Sequence, residues 1–181
     1  MSTTSRIKIK RLDGSEKAIY CHWDGYVQHN GLYLQLCYDT PEKIEKLLEL
    51  GNISSLGETL ETTNAYARYR GETIEFWDSE QEFNYTFDEN KGVWIVEQYH
   101  YSTIVCNNIN SNYEYTQKTT RFLIDEIMQY KDELVEHWED DEFATKENII
   151  EVLLEKAKAQ AEIANKRIAE EYDWWYRAYC D

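Results

Sequence analysis

From Asn107 to Asp181 the chain carries neither glycine nor proline. Without the two residues that most often interrupt regular structure, this stretch can form long elements, and its apolar spacing predicts two helices. The first, about 119–138, places Leu123, Ile127, Tyr130 and Leu134 on one stripe. The second starts near Thr145 as N-cap and carries Ile150, Leu153, Ala157, Ala161, Ala164, Ile168, Trp175 and Tyr179, mostly three or four residues apart. At 1.5 Å per residue, its roughly 34 residues would reach about 50 Å. That is more than a compact domain of this size spans, so part of it is expected to pack on its neighbour helix or on a second chain.

The N-terminal part reads differently. Arg6–Arg11 alternates Ile7 and Ile9 with basic residues, Asp13-Gly14 is a turn signal, and Glu16–Tyr20 returns as a second strand. Leu32–Tyr38 is apolar with an ambiguous period and is read as a short helix. Thr40-Pro41 is a firmer signal, an N-cap followed by proline at the first helical position. Ile44, Leu47 and Leu48 follow at helical spacing and Gly51 is the stop, predicting a helix from about Pro41 to Leu50. Strands are expected at Thr73–Trp77, Glu82–Phe87 and Val93–Tyr99, with a further strand at Tyr101–Cys106. The expected fold class is α+β: a small antiparallel sheet with short helices in an N-terminal domain, 1–115, and two long α-helices in a C-terminal extension, 116–181.

At 181 residues and 21.7 kDa the chain can bury a core. Its net charge of -16 sets it against free polyanions and excludes a general nucleic-acid binder. No run approaches the roughly 18 apolar residues of a membrane span, and Met1–Lys10 lacks the apolar stretch of a signal peptide. Cys21, Cys37, Cys106 and Cys180 form no CxxC pair, which fits reduced thiols. A cytoplasmic protein is expected.

Tyr20-Cys21-His22-Trp23-Asp24-Gly25-Tyr26, followed by His29, brings a thiol, two imidazoles and a carboxylate into ten residues. These are the groups of a metal site or of nucleophilic chemistry. Their spacing matches no closed zinc site, and neighbours on an extended strand point to opposite faces, so Cys21 and His22 are expected to diverge. An aromatic core and turn is the plainer reading. No nucleotide-binding glycine pattern or hydrolase motif occurs, and neither metal nor cofactor is expected.

Two acidic clusters stand out. Asp132, Glu133, Glu136, Glu139, Asp140, Asp141 and Glu142 lie together without a lysine or arginine among them, as do Glu72, Glu75, Asp78, Glu80, Glu82, Asp88 and Glu89. On a helix, carboxylates three or four residues apart stand about 5–6 Å from one another, close to the phosphate spacing of a nucleic-acid strand. A solvated acidic surface is the alternative. At the start, Arg6, Lys8, Lys10, Arg11 and Lys17 outnumber Asp13 and Glu16. Direct nucleic-acid contact is confined to this basic edge, which serves equally to blunt an edge strand. The aromatic tail Tyr172, Trp174, Trp175, Tyr176 and Tyr179 is read first as the core that docks the last helix; if it is instead a contact surface, Trp174 and Tyr176 are the candidates for exposed contact residues.

Tyr20–Tyr26, Asn30-Gly31, Tyr38–Lys43 and Leu50–Gly57 resemble a family of small, largely uncharacterised tailed-phage proteins. The resemblance is specific over residues 5–57 and faint to about Trp94, and the helical half departs from the pattern. In size and acidity the whole chain is similar to type II-A anti-CRISPR proteins, inhibitors of Cas9. The resemblance implies a non-enzymatic phage inhibitor in the cytoplasm of the bacterial host. It would bind Cas9 with its guide RNA, or another defence nuclease, and obstruct DNA engagement or cleavage, its acidic surface standing in for nucleic acid. The partner-binding candidates are then the 132–142 acids, Glu72, Glu75, Asp78, Glu80, Glu82, Trp174 and Tyr176. The alternatives are a small phage enzyme or nucleotide-binding protein centred on Cys21, His22, Asp24 and His29, and a structural protein whose long helix forms a homodimer.

Overall fold

The computed structural model describes residues 2–103, 113–130, 151–156, 158, 159 and 162. The chain divides into two compact units, Met1–Tyr130 and Lys131–Asp181. The first unit is built on a seven-stranded sheet in the order β4-β3-β2-β1-β5-β6-β7. It opens with β1 (Ser5–Lys10) and β2 (Glu16–Cys21), an antiparallel hairpin in which Ile7 faces Ile19. Its turn closes through Asp13, whose carboxylate accepts from the Ser15 N–H at 2.8 Å. The sheet is extended on one side by β3 (Ile53–Ser55) and β4 (Asn64–Ala65), and on the other by β5 (Phe83–Asp88), β6 (Val93–Thr103) and β7 (Tyr113–Phe122).

Two joints are parallel, β1 with β5 and β2 with β3, so the sheet is mixed rather than small and antiparallel as expected. β1 lies in its middle. The alternation of Ile7 and Ile9 with Arg6, Lys8 and Lys10 therefore separates a buried face from a polar one on an interior strand, and the reading of this segment as a charged sheet edge is corrected.

One face carries the core: Ile7, Ile9, Ile19, Tyr85, Phe87, Trp94 and Val96 are buried there by register. Short helices cover it: α1 (Leu32–Cys37), entered through one π-helical turn at Val27–Gly31, α2 (Pro41–Leu48) and α4 (Leu123–Gln129). α2 forms as its sequence dictates. Pro41 pre-sets the first turn, the Thr40 hydroxyl accepts from the Lys43 N–H at 3.4 Å, and Ile44, Leu47 and Leu48 are buried. Trp94 joins sheet to helices by donating its indole N–H to the Tyr38 carbonyl at 2.8 Å.

The expected pair of long C-terminal helices is corrected. Residues 119–122 are strand, paired with β6 in the register Ile95↔Phe122 to Gln98↔Thr119, and the helix that follows stops at Gln129. Among the described residues the longest uninterrupted helix is α2, with eight residues. The absence of glycine and proline permits a strand as readily as a helix. Here the open edge of β6 and the β-branched or aromatic residues Tyr113, Tyr115, Thr116, Thr119 and Thr120 decide for β. In the stretch read as the second helix, residues 151–156, 158, 159 and 162 are helical, and the rest lies outside the described residues, as do residues 104–106 of the strand expected at Tyr101–Cys106.

A second correction concerns Thr73–Trp77, read as a strand. After α3 (Tyr66–Arg70), residues 71–82 form a strap without regular structure. Its backbone bonds go to a loop instead of a ladder: the Asn52 N–H donates to the Glu75 carbonyl at 2.8 Å, and the Trp77 N–H donates to the Asn52 side-chain carbonyl at 3.1 Å. The same Asn52 oxygen accepts from the Tyr20 N–H at 3.0 Å, so one side chain ties the strap to β2.

Candidate functional site

Cys21 and His22 diverge, as alternation along a strand requires. Cys21 is fully buried. Its thiol donates to the Trp23 carbonyl at 3.3 Å and accepts from the Asn30 amide at 3.3 Å, and that amide also donates to the Ser5 hydroxyl at 3.0 Å. Burial pushes the thiol up to about 11, opposed mainly by the Asn30 hydrogen bond. His22 leaves on the other side, its Nδ1 2.7 Å from the Tyr20 hydroxyl, and His29 Nδ1 meets the Asn30 side-chain oxygen at 3.0 Å. Among the described residues no three His, Cys, Asp or Glu side chains are grouped to hold a metal ion. Asp24 holds the turn in a left-handed conformation, φ 55°. Cys21, Gly25 and Asn30 form a buried, hydrogen-bonded corner while Trp23 stands 46% exposed, and a neutral thiol there is a poor nucleophile at neutral pH.

Two consequences can be measured. Alkylation of the native protein followed by peptide mass mapping should label Cys37, which is half-exposed, well before Cys21. Stability should also fall in alkali. The folded chain keeps the Cys21 proton up to about 11, against an ordinary 9, and burial likewise raises the Tyr38 phenol to about 12 from 10. The unfolded chain therefore sheds both protons first. The stabilisation is whole below pH 9 and is lost as pH rises through 11 and 12, each tenfold difference in proton affinity between the folded and unfolded chain being worth about 1.4 kcal/mol. Urea midpoints measured from pH 8 to 12 should show the fall, and Cys21→Ala should flatten its first part.

Of the proposed contact residues, the 132–142 acids, Trp174 and Tyr176 lie outside the described residues. The strap carries the others. Glu72, Glu75, Asp78 and Glu80 are exposed and Glu82 is half-buried. Between them stand large apolar side chains that the sequence reading assigned to a strand: Ile74, Phe76 and Trp77 are each more than half exposed, and Tyr69 just before the strap is 72% exposed. Little in the sequence warned of this, since in a strand Ile74 and Phe76 would share one face opposite Glu75, an ordinary half-buried pattern.

The strap, α3 and the end of β2 line a half-open pocket of about 320 Å³. Tyr20, His22, Tyr66 and Trp77 line it, together with Asn52, Arg70, Glu72 and Glu75. Tyr20 and Trp77 pack with ring centroids 5.3 Å apart. The Arg70 guanidinium lies 4.7 Å from the Tyr66 ring centre and 3.5 Å from the Glu72 carboxylate. Farther along, Lys17 sits 4.8 Å over the Phe76 ring.

The basic residues of the opening strands are largely answered by acids of the same chain. Arg6 meets Asp78 at 3.1 Å, Lys8 meets Glu16 at 2.8 Å, and Arg11 bonds Glu45 through two nitrogens. The Arg6 side chain is only 9% exposed against 59% for Asp78, so Asp78→Ala strands a buried guanidinium while its own loss is screened by solvent. The expected cost is about 1–2 kcal/mol, with faster proteolytic cutting inside 71–82, read by gel and mass spectrometry.

The chain matches no family model, no curated protein and no solved structure. Among the described residues, no helix is long and apolar enough to cross a membrane.

Proposed function

We propose that the protein is a non-catalytic phage inhibitor that docks on the basic nucleic-acid channel of a host defence nuclease. The resemblance points to Cas9 with its guide RNA, with DNA engagement or cleavage obstructed. The observation that carries this reading is the strap, which sets Glu72, Glu75, Asp78 and Glu80 around exposed Ile74, Phe76 and Trp77. Acids alone are the ordinary state of a soluble surface. Acids interleaved with exposed aromatic side chains supply both the long-range attraction and the desolvated anchors of a protein interface. A channel that holds a heteroduplex is lined with cations, so such a ligand gains fast, salt-sensitive association. A reading as an enzyme centred on Cys21 finds less support, because the buried thiol is engaged with the Trp23 carbonyl and the Asn30 amide.

Two charge-reversal sets test the proposal: Glu72→Lys, Glu75→Lys and Glu80→Lys on the strap, and Glu136→Lys, Asp140→Lys and Glu142→Lys in the second cluster. Binding to the Cas9–guide complex is measured at low and moderate salt. The strap set should weaken association at least about tenfold and flatten its salt dependence. The second set should act in the same direction, and more strongly than reversal at Glu147, Glu151 and Glu155, which have Lys146, Lys156 and Lys158 as sequence neighbours. Wild-type affinity and salt slope in both sets, with the fold intact, would overturn the reading.

A further inference from the structure

We propose that the pocket under the strap is a receptor for one guanidinium group, an arginine side chain presented by the partner protein. This deepens the reading above and rests on it only for which protein presents the arginine.

The argument begins with the walls. Tyr20, Tyr66 and Trp77 bring aromatic side chains to the lining, and Glu72 and Glu75 bring carboxylates. A guanidinium is planar and weakly hydrated, stacks on aromatic faces and forks onto carboxylates, whereas an ammonium is a compact and strongly hydrated point charge. At about 320 Å³ the space lies at the small end of ligand pockets, which suits a side chain better than a nucleotide. A phosphate would also meet Glu72 and Glu75.

An independent observation points to the same ligand. The chain seats a guanidinium of its own here, since Arg70 lies over Tyr66 and beside Glu72. Arg70 is exposed and belongs to the last turn of a five-residue helix, so its side chain can swing out and surrender the place. Lys17 over Phe76 repeats the pairing of cation with ring on the same strap. Among the described residues, no cation of the chain is seated over Trp77, which is 55% exposed and packs on Tyr20. The pocket therefore seats one guanidinium of the chain itself and presents a second aromatic residue that no described cation covers.

A protein of charge -16 attracts any cationic peptide, so the test must separate this pocket from general attraction. The probe is an end-blocked octa-arginine peptide, with octa-lysine of equal charge as control, titrated by calorimetry at moderate salt. Octa-arginine should bind the wild type at least threefold more tightly than octa-lysine. Tyr66→Ala and Trp77→Ala change no charge and should each weaken octa-arginine at least fivefold. Trp77→Leu keeps apolar bulk without a ring face and should behave as Trp77→Ala, which separates loss of the ring from any loosening of the strap. Arg70→Ala should strengthen binding at least threefold by vacating the seat, and Lys46→Ala, which removes the same charge from the exposed face of α2, by less than twofold.

Equal affinity for the two peptides, or wild-type affinity in the ring variants, would overturn the pocket as a guanidinium receptor. So would an Arg70→Ala effect no larger than that of Lys46→Ala. The same variants assayed for nuclease inhibition keep the two proposals apart. If the pocket binds octa-arginine as described and the protein leaves Cas9 untouched, the receptor stands and the nuclease reading fails. If inhibition depends on the acidic clusters while the Trp77 and Arg70 variants change neither inhibition nor octa-arginine binding, the nuclease reading stands and the receptor fails.

Discussion

Gly25→Ala should cost more than about 4 kcal/mol, enough to unfold most domains of this size at 37 °C. A Cβ at residue 25 would sit 2.6 Å from both the carbonyl carbon and the carbonyl oxygen of Thr4, and 2.9 Å from the Ser5 nitrogen. These are backbone atoms at the entrance to the central strand, so no side chain can turn aside to make room. The same residue is bonded at both ends. Its N–H donates to the Thr3 carbonyl at 2.9 Å, and its carbonyl accepts from the Tyr85 hydroxyl at 2.7 Å. Displacing it would pull the turn away from a fully buried tyrosine on β5. Gly14→Ala is the control. That glycine has φ +82° with open space around it, so only backbone strain is introduced, about 1 kcal/mol. Thermal melts of the two variants should differ accordingly, and comparable losses would mean that the approach of residues 4 and 25 is not what holds the turn.

The other large effect is expected at Trp94. Its side chain is 1% exposed, packs edge-on against Phe87 with centroids 5.4 Å apart, and holds the Tyr38 carbonyl. Trp94→Ala should lose about 3–5 kcal/mol through lost burial and the cavity left behind. Trp94→Phe retains part of the ring packing but leaves the Tyr38 carbonyl without its donor, at about 1–3 kcal/mol. Urea unfolding with an unchanged slope would identify both as losses of native-state stability. If Trp94→Phe proved as damaging as Trp94→Ala, the hydrogen bond rather than packing would dominate the joint between β6 and the helices.

Where a segment carries its own start and stop, its structure is legible. Thr40-Pro41 opens α2, Asp13-Gly14 closes the first hairpin, and Asp88–Gly92 separates β5 from β6, because each turn or cap is fixed by residues within it. The preference for a helix at Leu32–Tyr38 also agrees with α1. Residues 113–122 carry no such punctuation. Their strand depends on an edge offered by β6, a partner that local spacing does not reveal. The order of strands is hidden for the same reason, since nothing within Arg6–Lys10 says that Phe83–Asp88 will lie beside it. At the candidate site the acids of 72–82 could be read directly. Their aromatic neighbours were misassigned because Thr73–Trp77 has strand composition, while its backbone is claimed by Asn52.

The parallel joint between β1 and β5 has a consequence for how the chain comes into being. Lys10 pairs with Asp88, so during synthesis at about 5–20 residues per second the first strand waits roughly 4–16 s for its second neighbour to be made. Through that interval the β1–β2 hairpin has one side bare, and closing the intervening loop carries the entropy of a long-range contact. The segment 5–57 ends before β5 begins. It holds three strands, β1, β2 and β3, and their helices, with the side of β1 that β5 covers left open. Whatever chain inherits it must also supply a strand to lie along β1, and must do so before something else does.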